Sequence, residues 1–295
     1  MIHMSILCIS DIQWEIEDED ILTTLKNEVD EESPSLVFFG GDVINDGWNS
    51  EEHVSEFVEL LNYLEELEIP SATIEGNHDE YSDYEAVEEH IDGLEYANEI
   101  SHEVAEFDGL RVLGLPYSST HYLRTARQLS EEFPERYDII LAHAESSRRI
   151  WLFEIDAKIV ITGHFADQLY LVRDQVFISM GSYPGETVVI DSKLDELLYR
   201  RRSDSPMANQ DEYESKVRLE DGELEWLRDE YDPDVFSSRP LQSDYSDQFE
   251  RLISAKEEVT ETDNEEEVRR IVEELLEDGT PKTHIREYIG RYDFL

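Results

Sequence analysis

Three short apolar runs, Ser5-Ile6-Leu7-Cys8-Ile9, Leu36-Val37-Phe38-Phe39 and Ser71-Ala72-Thr73-Ile74-Glu75, alternate with two stretches of helical periodicity. That alternation restricts the chain more than any other feature. From Asp18 to Val29, residues Ile21, Leu22, Leu25 and Val29 share one helical face, and Pro34 closes the connection. Ser50 is placed to cap a longer helix carrying Val54, Phe57, Val58, Leu61, Leu64 and Leu67 on one face. A β-α-β-α-β order predicts parallel strands with helices packed on their faces.

The later chain reads differently. A short helix is expected from Tyr84 to Ile91, then two strands, Glu99 to Glu106 and Leu110 to Leu115, turning at Asp108-Gly109. A helix from Tyr122 to Phe133 precedes strands at Asp138 to Ala142 and Ile155 to Ile161. Leu169 to Val172, Gln175 to Ser179, Glu186 to Ile190 and Leu194 to Tyr199 are short and closely spaced, which suggests antiparallel pairing. Ser203 to Asp211 reads as a linker. Beyond it, Phe249 to Val259 and Val268 to Leu276 are helical, and Lys282 to Arg291 follows Gly279-Thr280-Pro281. A helical hairpin is favoured there over a helix-turn-helix.

The chain carries 73 acidic and 24 basic residues, a net charge of -49. The acids are spread through every segment, a composition that resembles proteins of salt-loving archaea. Self-repulsion on that scale is screened within about 3 Å at molar salt, so the acidity is read as salt adaptation and says little about substrate. No apolar run approaches the roughly 18 residues of a membrane span. The start, Met1-Ile2-His3-Met4, lacks the pattern of a secretory signal, and the single Cys8 lies within an apolar run. A cytoplasmic protein without a membrane partner is expected.

Chemistry concentrates at the ends of the apolar runs. They finish at Asp11, Asp42, Asn77-His78, His143 and His164. Gly76-Asn77-His78-Asp79 alone also reads as a polar turn. Five such endings in succession, on adjacent strands, would gather oxygen and nitrogen ligands on one sheet edge, a set suited to Mn²⁺, Fe or Zn²⁺.

The order Asp11-Ile12-Gln13, Gly41-Asp42, Gly76-Asn77-His78-Asp79, His143, Gly163-His164 resembles the calcineurin-like metallophosphoesterases, whose pattern is D-x-H, G-D, G-N-H-D/E, H and G-H-x-H. The resemblance covers about residues 5 to 200 and implies a four-layer α/β/β/α sandwich. Residues 1–202 would form that domain, and 203–295 an acidic, mainly helical C-terminal extension. It further implies two metal sites bridged by Asp42, one completed by Asn77, His143 and His164. The other would use Asp11, position 13 and position 166. Here the chain departs from the pattern, with Gln13 and Ala166 where the family has histidines. Losing both imidazoles leaves Asp11, Asp42 and the weak ligand Gln13, so that site could be empty, weak or rebuilt.

The resemblance also implies metal-dependent hydrolysis of a phosphomonoester or phosphodiester by a metal-activated water. His78 would donate a proton to the leaving oxygen, with Asp79 orienting it. Mn²⁺ is the expected ion, with Fe, Zn²⁺ or Mg²⁺ as alternatives: one held firmly, the second open. Asn45 and Asp46 would line the mouth, Arg148 and Arg149 could meet an anionic substrate, and Tyr117, Ser118 and His121 could face the pocket. Two rival readings stand beside this one. The first is a binding or scaffold protein on the same fold, favoured by the missing histidines and opposed by the retained His78. The second is a nuclease, ranked lower because no basic groove is evident.

Overall fold

Strands buried on both faces need continuous apolar runs, and the expected runs become strands. The computed structural model describes residues 5–12, 14, 20–44, 50–118, 131–144, 152, 155–164, 168–172, 175–183, 186–191, 193–201, 213–220, 223–229, 244–262, 264–280 and 282–289. Strands β1 (Ser5–Ile9), β2 (Leu36–Phe39), β3 (Ser71–Thr73) and β4 (Ala97–Glu99) are successive parallel neighbours. Helices α1 (Ile21–Glu32), α2 (Ser50–Glu66) and α3 (Tyr84–Ile91) connect them and cover one face. The start of α1 is set by Asp20, whose side chain accepts from the Thr23 N–H at 2.9 Å.

On α2 the buried stripe is Phe57, Leu60, Leu61 and Leu64. The expected face included Leu67, which lies past the helix end and is 44% exposed. The stretch expected as one strand from Glu99 to Glu106 divides between two sheets. Its first part belongs to β4; then Ile100 to Glu103 carry the chain across, and β5 (Val104–Phe107) pairs with β6 (Leu110–Leu115). The turn between them has left-handed backbone at Asp108 and Gly109 (φ 48° and 87°), as a two-residue hairpin loop favours.

The second sheet continues with β7 (Tyr137–His143), β8 (Ala157–Gly163), β9 (Gln168–Val172) and β10 (Gln175–Ser179), in the order β5-β6-β7-β8-β10-β9. Here the antiparallel expectation holds between β9 and β10, but β10 also runs parallel to β8, because β9 takes the outer edge as the returning strand. The expectation holds once the chain returns to the first sheet. There β11 (Glu186–Asp191) pairs antiparallel with β1, followed by β12 (Glu196–Arg201), β13 (Tyr213–Glu220) and β14 (Glu223–Asp229). Thus two strands precede the helical part of the extension. The linker expected at Ser203 to Asp211, and most of the helix expected at Tyr122 to Phe133, lie outside the described residues.

Side-chain alternation builds the layers. Ile6, Cys8, Phe38, Ala72 and Ile74 meet Val112, Ile139, Leu141, Ile159 and Ile161 between the sheets. On the outer side of the second sheet, Leu113, Ile140, Ala142, Val160 and Phe177 are covered by Leu252, Ile253, Ile271, Val272 and Leu275 of helices α4 (Asp244–Glu261) and α5 (Glu265–Glu277). The result is the α/β/β/α order expected. The short turns Lys282–His284 and Ile285–Ile289 follow, and Ile285 is buried in the same core. No helix among the described residues is long and apolar enough to cross a membrane.

The crossing between sheets depends on one close approach. His102 N–H donates to Gly114 O at 3.0 Å and Gly114 N–H to Glu103 O at 2.9 Å, and a Cβ on Gly114 would lie 2.0 Å from Ile100 O. Gly114→Ala is therefore expected to lower stability by about 3 kcal/mol, read as a lower denaturant midpoint; an unchanged midpoint would show that the crossing is not tightly held.

Candidate metal centre

The chemistry-bearing residues follow the C-terminal ends of β1, β2, β3, β7 and β8, where open α/β sheets place their ligands. Two loops of the first sheet stay paired past their strands: Asp11 N–H donates to Gly41 O at 3.0 Å, and Ile12 N–H to Asp42 O at 2.9 Å. Asp11, Asp42 and His164 all hold left-handed backbone (φ 52°, 51° and 79°). Such conformations are costly for residues other than glycine and collect at functional sites.

Each of Asp11, Asp42, His143 and His164 offers one ligand atom, and these four atoms lie within 4.8 Å of one another. His143 is fully buried at their centre. Its Nδ1 lies 2.8 Å from Gly40 O, so Nδ1 carries the hydrogen and donates it. Its Nε2 then faces Asn77 Oδ1 at 3.0 Å, His164 Nδ1 at 3.2 Å and Asp42 Oδ2 at 3.4 Å. A carbonyl fixing one ring nitrogen while the other looks into a ligand cluster is the arrangement that orients metal-binding histidines. The set of carboxylate, amide and imidazole donors thus fits a divalent cation.

The surrounding contacts hold the two carboxylates. Asp11 Oδ2 accepts from Ser10 Oγ at 2.5 Å and from the His164 N–H at 2.9 Å. Asp42 Oδ1 accepts from the His78 N–H at 2.8 Å. Gly76 makes room for it, since a Cβ there would lie 2.1 Å from Asp42 Oδ1. Burial opposes ionisation of Asp42, but the charge and hydrogen bond of His143 hold its pKa below the usual carboxylate value. Burial raises that of Asp11, against the pull of His143. For His143 burial acts to lower the pKa, yet Asp42 and Asp11 push it up to about 9.

His78 stands at the rim. Its side chain is 45% exposed, and Nε2 lies 4.0 Å from Asp42 Oδ2. Asp79, expected to orient His78, directs its carboxylate to backbone N–H groups instead: Gly76 at 2.7 Å, Ile44 at 2.8 Å and Val43 at 3.3 Å. It fastens the loop bearing His78 to the loop bearing Asp42. Burial, then the charge of Asp42, raise its pKa to about 7, against the Gly76 and Ile44 N–H groups. Trp14 adds a second fastening, donating from Nε1 to Val43 O at 2.7 Å. Sequence reasoning missed Ser10 and Trp14, because bonds to a neighbouring carboxylate and to a backbone carbonyl leave no spacing signature. Tyr117 was expected near the pocket, and its ring centroid lies 5.6 Å from that of His164 and 6.1 Å from that of His143. Gln13, Asn45, Asp46, His121, Arg148, Arg149 and Ala166 lie outside the described residues.

The model of the calcineurin-like phosphoesterase family matches residues 4–168. Among curated proteins, a component of the nuclease SbcCD of Staphylococcus epidermidis is 38% identical over 66 residues, 22% of this chain and 18% of its own length. The chain therefore spans less than a fifth of that relative. One solved structure superposes with a TM-score of 0.50 at 14% identity, covering 68% of this chain and 99% of its own. A dimetal phosphatase from Danio rerio gives 0.49 at 12% identity over 74% and 99%. Vps29 of Entamoeba histolytica, complexed with Zn²⁺, gives 0.35 at 13% over 76% and 97%. At 14% identity the first of these shows a likeness of fold alone.

Removing the Asp79 carboxylate would orphan three N–H groups around a buried position. Asp79→Ala is expected to destabilise the protein by about 2–4 kcal/mol, measured by denaturant unfolding of the metal-free protein. A loss below about 0.5 kcal/mol would mean that water replaces the carboxylate and the fastening is unimportant.

Proposed function

Because the chain belongs to the calcineurin-like phosphoesterase family, we propose that it hydrolyses a phosphomonoester or phosphodiester with a divalent cation held by Asp42, Asn77, His143 and His164. The observation that carries this reading is the His143 imidazole, fixed by Gly40 O on one side and turned toward three other donors on the opposite side. When bound there, a cation would supply Lewis-acid polarisation of a phosphate and an activated water at neutral pH. The mixed oxygen and nitrogen donors suit Mn²⁺, with Fe and Zn²⁺ close behind and Mg²⁺ less well matched.

The protein's own groups divide the remaining work. His78, half-exposed and beside Asp42, donates a proton to the leaving oxygen. Asp79 sets the height of that imidazole through the backbone. Asp11 bridges the ends of β1 and β8 by accepting from the His164 N–H. With Gln13 and Ala166 in place of two imidazoles, we assign one firmly held ion and a weaker second position at Asp11 and Asp42, with Gln13 as its weak third ligand. Asn45 and Arg148 are proposed to contact substrate. All of these residues fall within 1–202, which we take as the catalytic unit, with 203–295 as its extension.

A second reading, a metal-binding scaffold, draws on the same two absent imidazoles. Nuclease action ranks third, since the curated nuclease component is matched over so short a stretch. Hydrolysis of p-nitrophenyl phosphate and bis-p-nitrophenyl phosphate in molar salt, with Mn²⁺ titrated and metal content measured, separates these readings. Turnover is expected to fall about 10²–10⁴-fold in His78→Ala while metal content stays unchanged. Bound metal without turnover on any phosphoester would leave the scaffold reading standing.

Proton and cation compete for His143 Nε2. Since its pKa without metal is about 9, the apparent Mn²⁺ affinity should strengthen as pH rises and level off above that value. Calorimetry at neutral pH in two buffers of different ionisation enthalpy should detect about one proton released per ion. Binding without proton release would place the cation elsewhere.

A further inference from the structure

Beneath the Gly76–Asp79 loop the interior is short of hydrogen-bond partners. Thr73 Oγ1, Tyr84 Oη, Glu99 Oε1 and Ser71 Oγ are buried, and among the described residues no group lies within hydrogen-bonding reach of them. Buried polar atoms are nearly always paired, and such exceptions call for a water or an ion.

These oxygens share one side of the first sheet. Ala72 and Ile74 point between the sheets, so Ser71 and Thr73 face the helices. In the β3–β4 register Thr73 lies directly opposite Glu99, and Ala97, two residues before Glu99, packs in the same helix-side core as Tyr84. Thr73 is completely buried and Tyr84 only 3% exposed. Glu99 spends its other oxygen on the Ser101 N–H at 3.1 Å. The charges acting on the Tyr84 phenol are all carboxylates, those of Asp79, Glu99, Glu75 and Glu88, and with burial they raise its pKa.

We propose that Thr73 Oγ1, Tyr84 Oη and Glu99 Oε1 enclose an alkali-cation site, for Na⁺ or K⁺, below the loop that carries Asn77 and His78. The donors are all oxygen, which excludes the softer metals suited to imidazole and thiolate. One carboxylate among hydroxyls is too little charge for Ca²⁺, which gathers six to eight oxygens, several from carboxylates. A water would meet the hydrogen bonds but would bring no charge to offset the carboxylates of Glu99 and Glu75. The cation would join α3 and β4 to the end of β3, so the loop would respond to which salt is present as well as to how much.

The test uses the full-length protein at molar concentrations of NaCl, KCl and choline chloride. The wild type should melt about 5 °C lower in choline chloride, and this difference should vanish in Glu99→Gln and in the isosteric Thr73→Val. Wild-type crystals soaked in RbCl should show anomalous density between the three side chains. Equal melting in all three salts, a choline effect that persists in both variants, or a feature there without anomalous signal would overturn the proposal, the last identifying a water.

Discussion

The bond from His143 Nδ1 to Gly40 O is the contact on which the arrangement turns. It joins the end of a strand in the second sheet to a loop of the first, across the seam where the sheets could otherwise shift. A fully buried imidazole held on one side has no freedom to rotate, so its other nitrogen is committed to Asn77, His164 and Asp42. The ring thereby ties the two halves of the sandwich together at this end. Fold and candidate chemistry share one constraint.

Around this ring the backbone is held in conformations a chain would not choose. Asp11, Asp42 and His164 are left-handed, and a packed interior keeps them so. Asp79 and Trp14 show how: both reach the loop after Asp42 through bonds to its main chain. Burial gives those bonds their weight, because an unmet N–H inside a protein has no water to turn to.

Much of this was legible in the residues. Runs such as Leu36 to Phe39 are apolar at every position, which only a strand covered on both faces tolerates. Polar residues ending these runs, Asp11, Asp42, His143 and His164, come together in one cluster, because side chains at the ends of adjacent strands converge. What stayed hidden has a common cause. The split of Glu99 to Glu106 depends on Gly114, distant in sequence, and the direction of β10 depends on which strand takes an edge. Asp79 looked like a partner for an imidazole, but it serves amide groups, which every residue has. Pairing with the backbone leaves no trace in composition or periodicity.

The helices near the C-terminus lie against Leu113, Ile140, Val160 and Phe177, on strands that lead directly to His143 and His164 or stand beside them. A shortened chain ending before Asp244 would strip Leu252, Ile253, Ile271, Val272 and Leu275 from that oily plane behind both imidazoles. The last segment is thus a rear wall to the strands that bear the reactive groups.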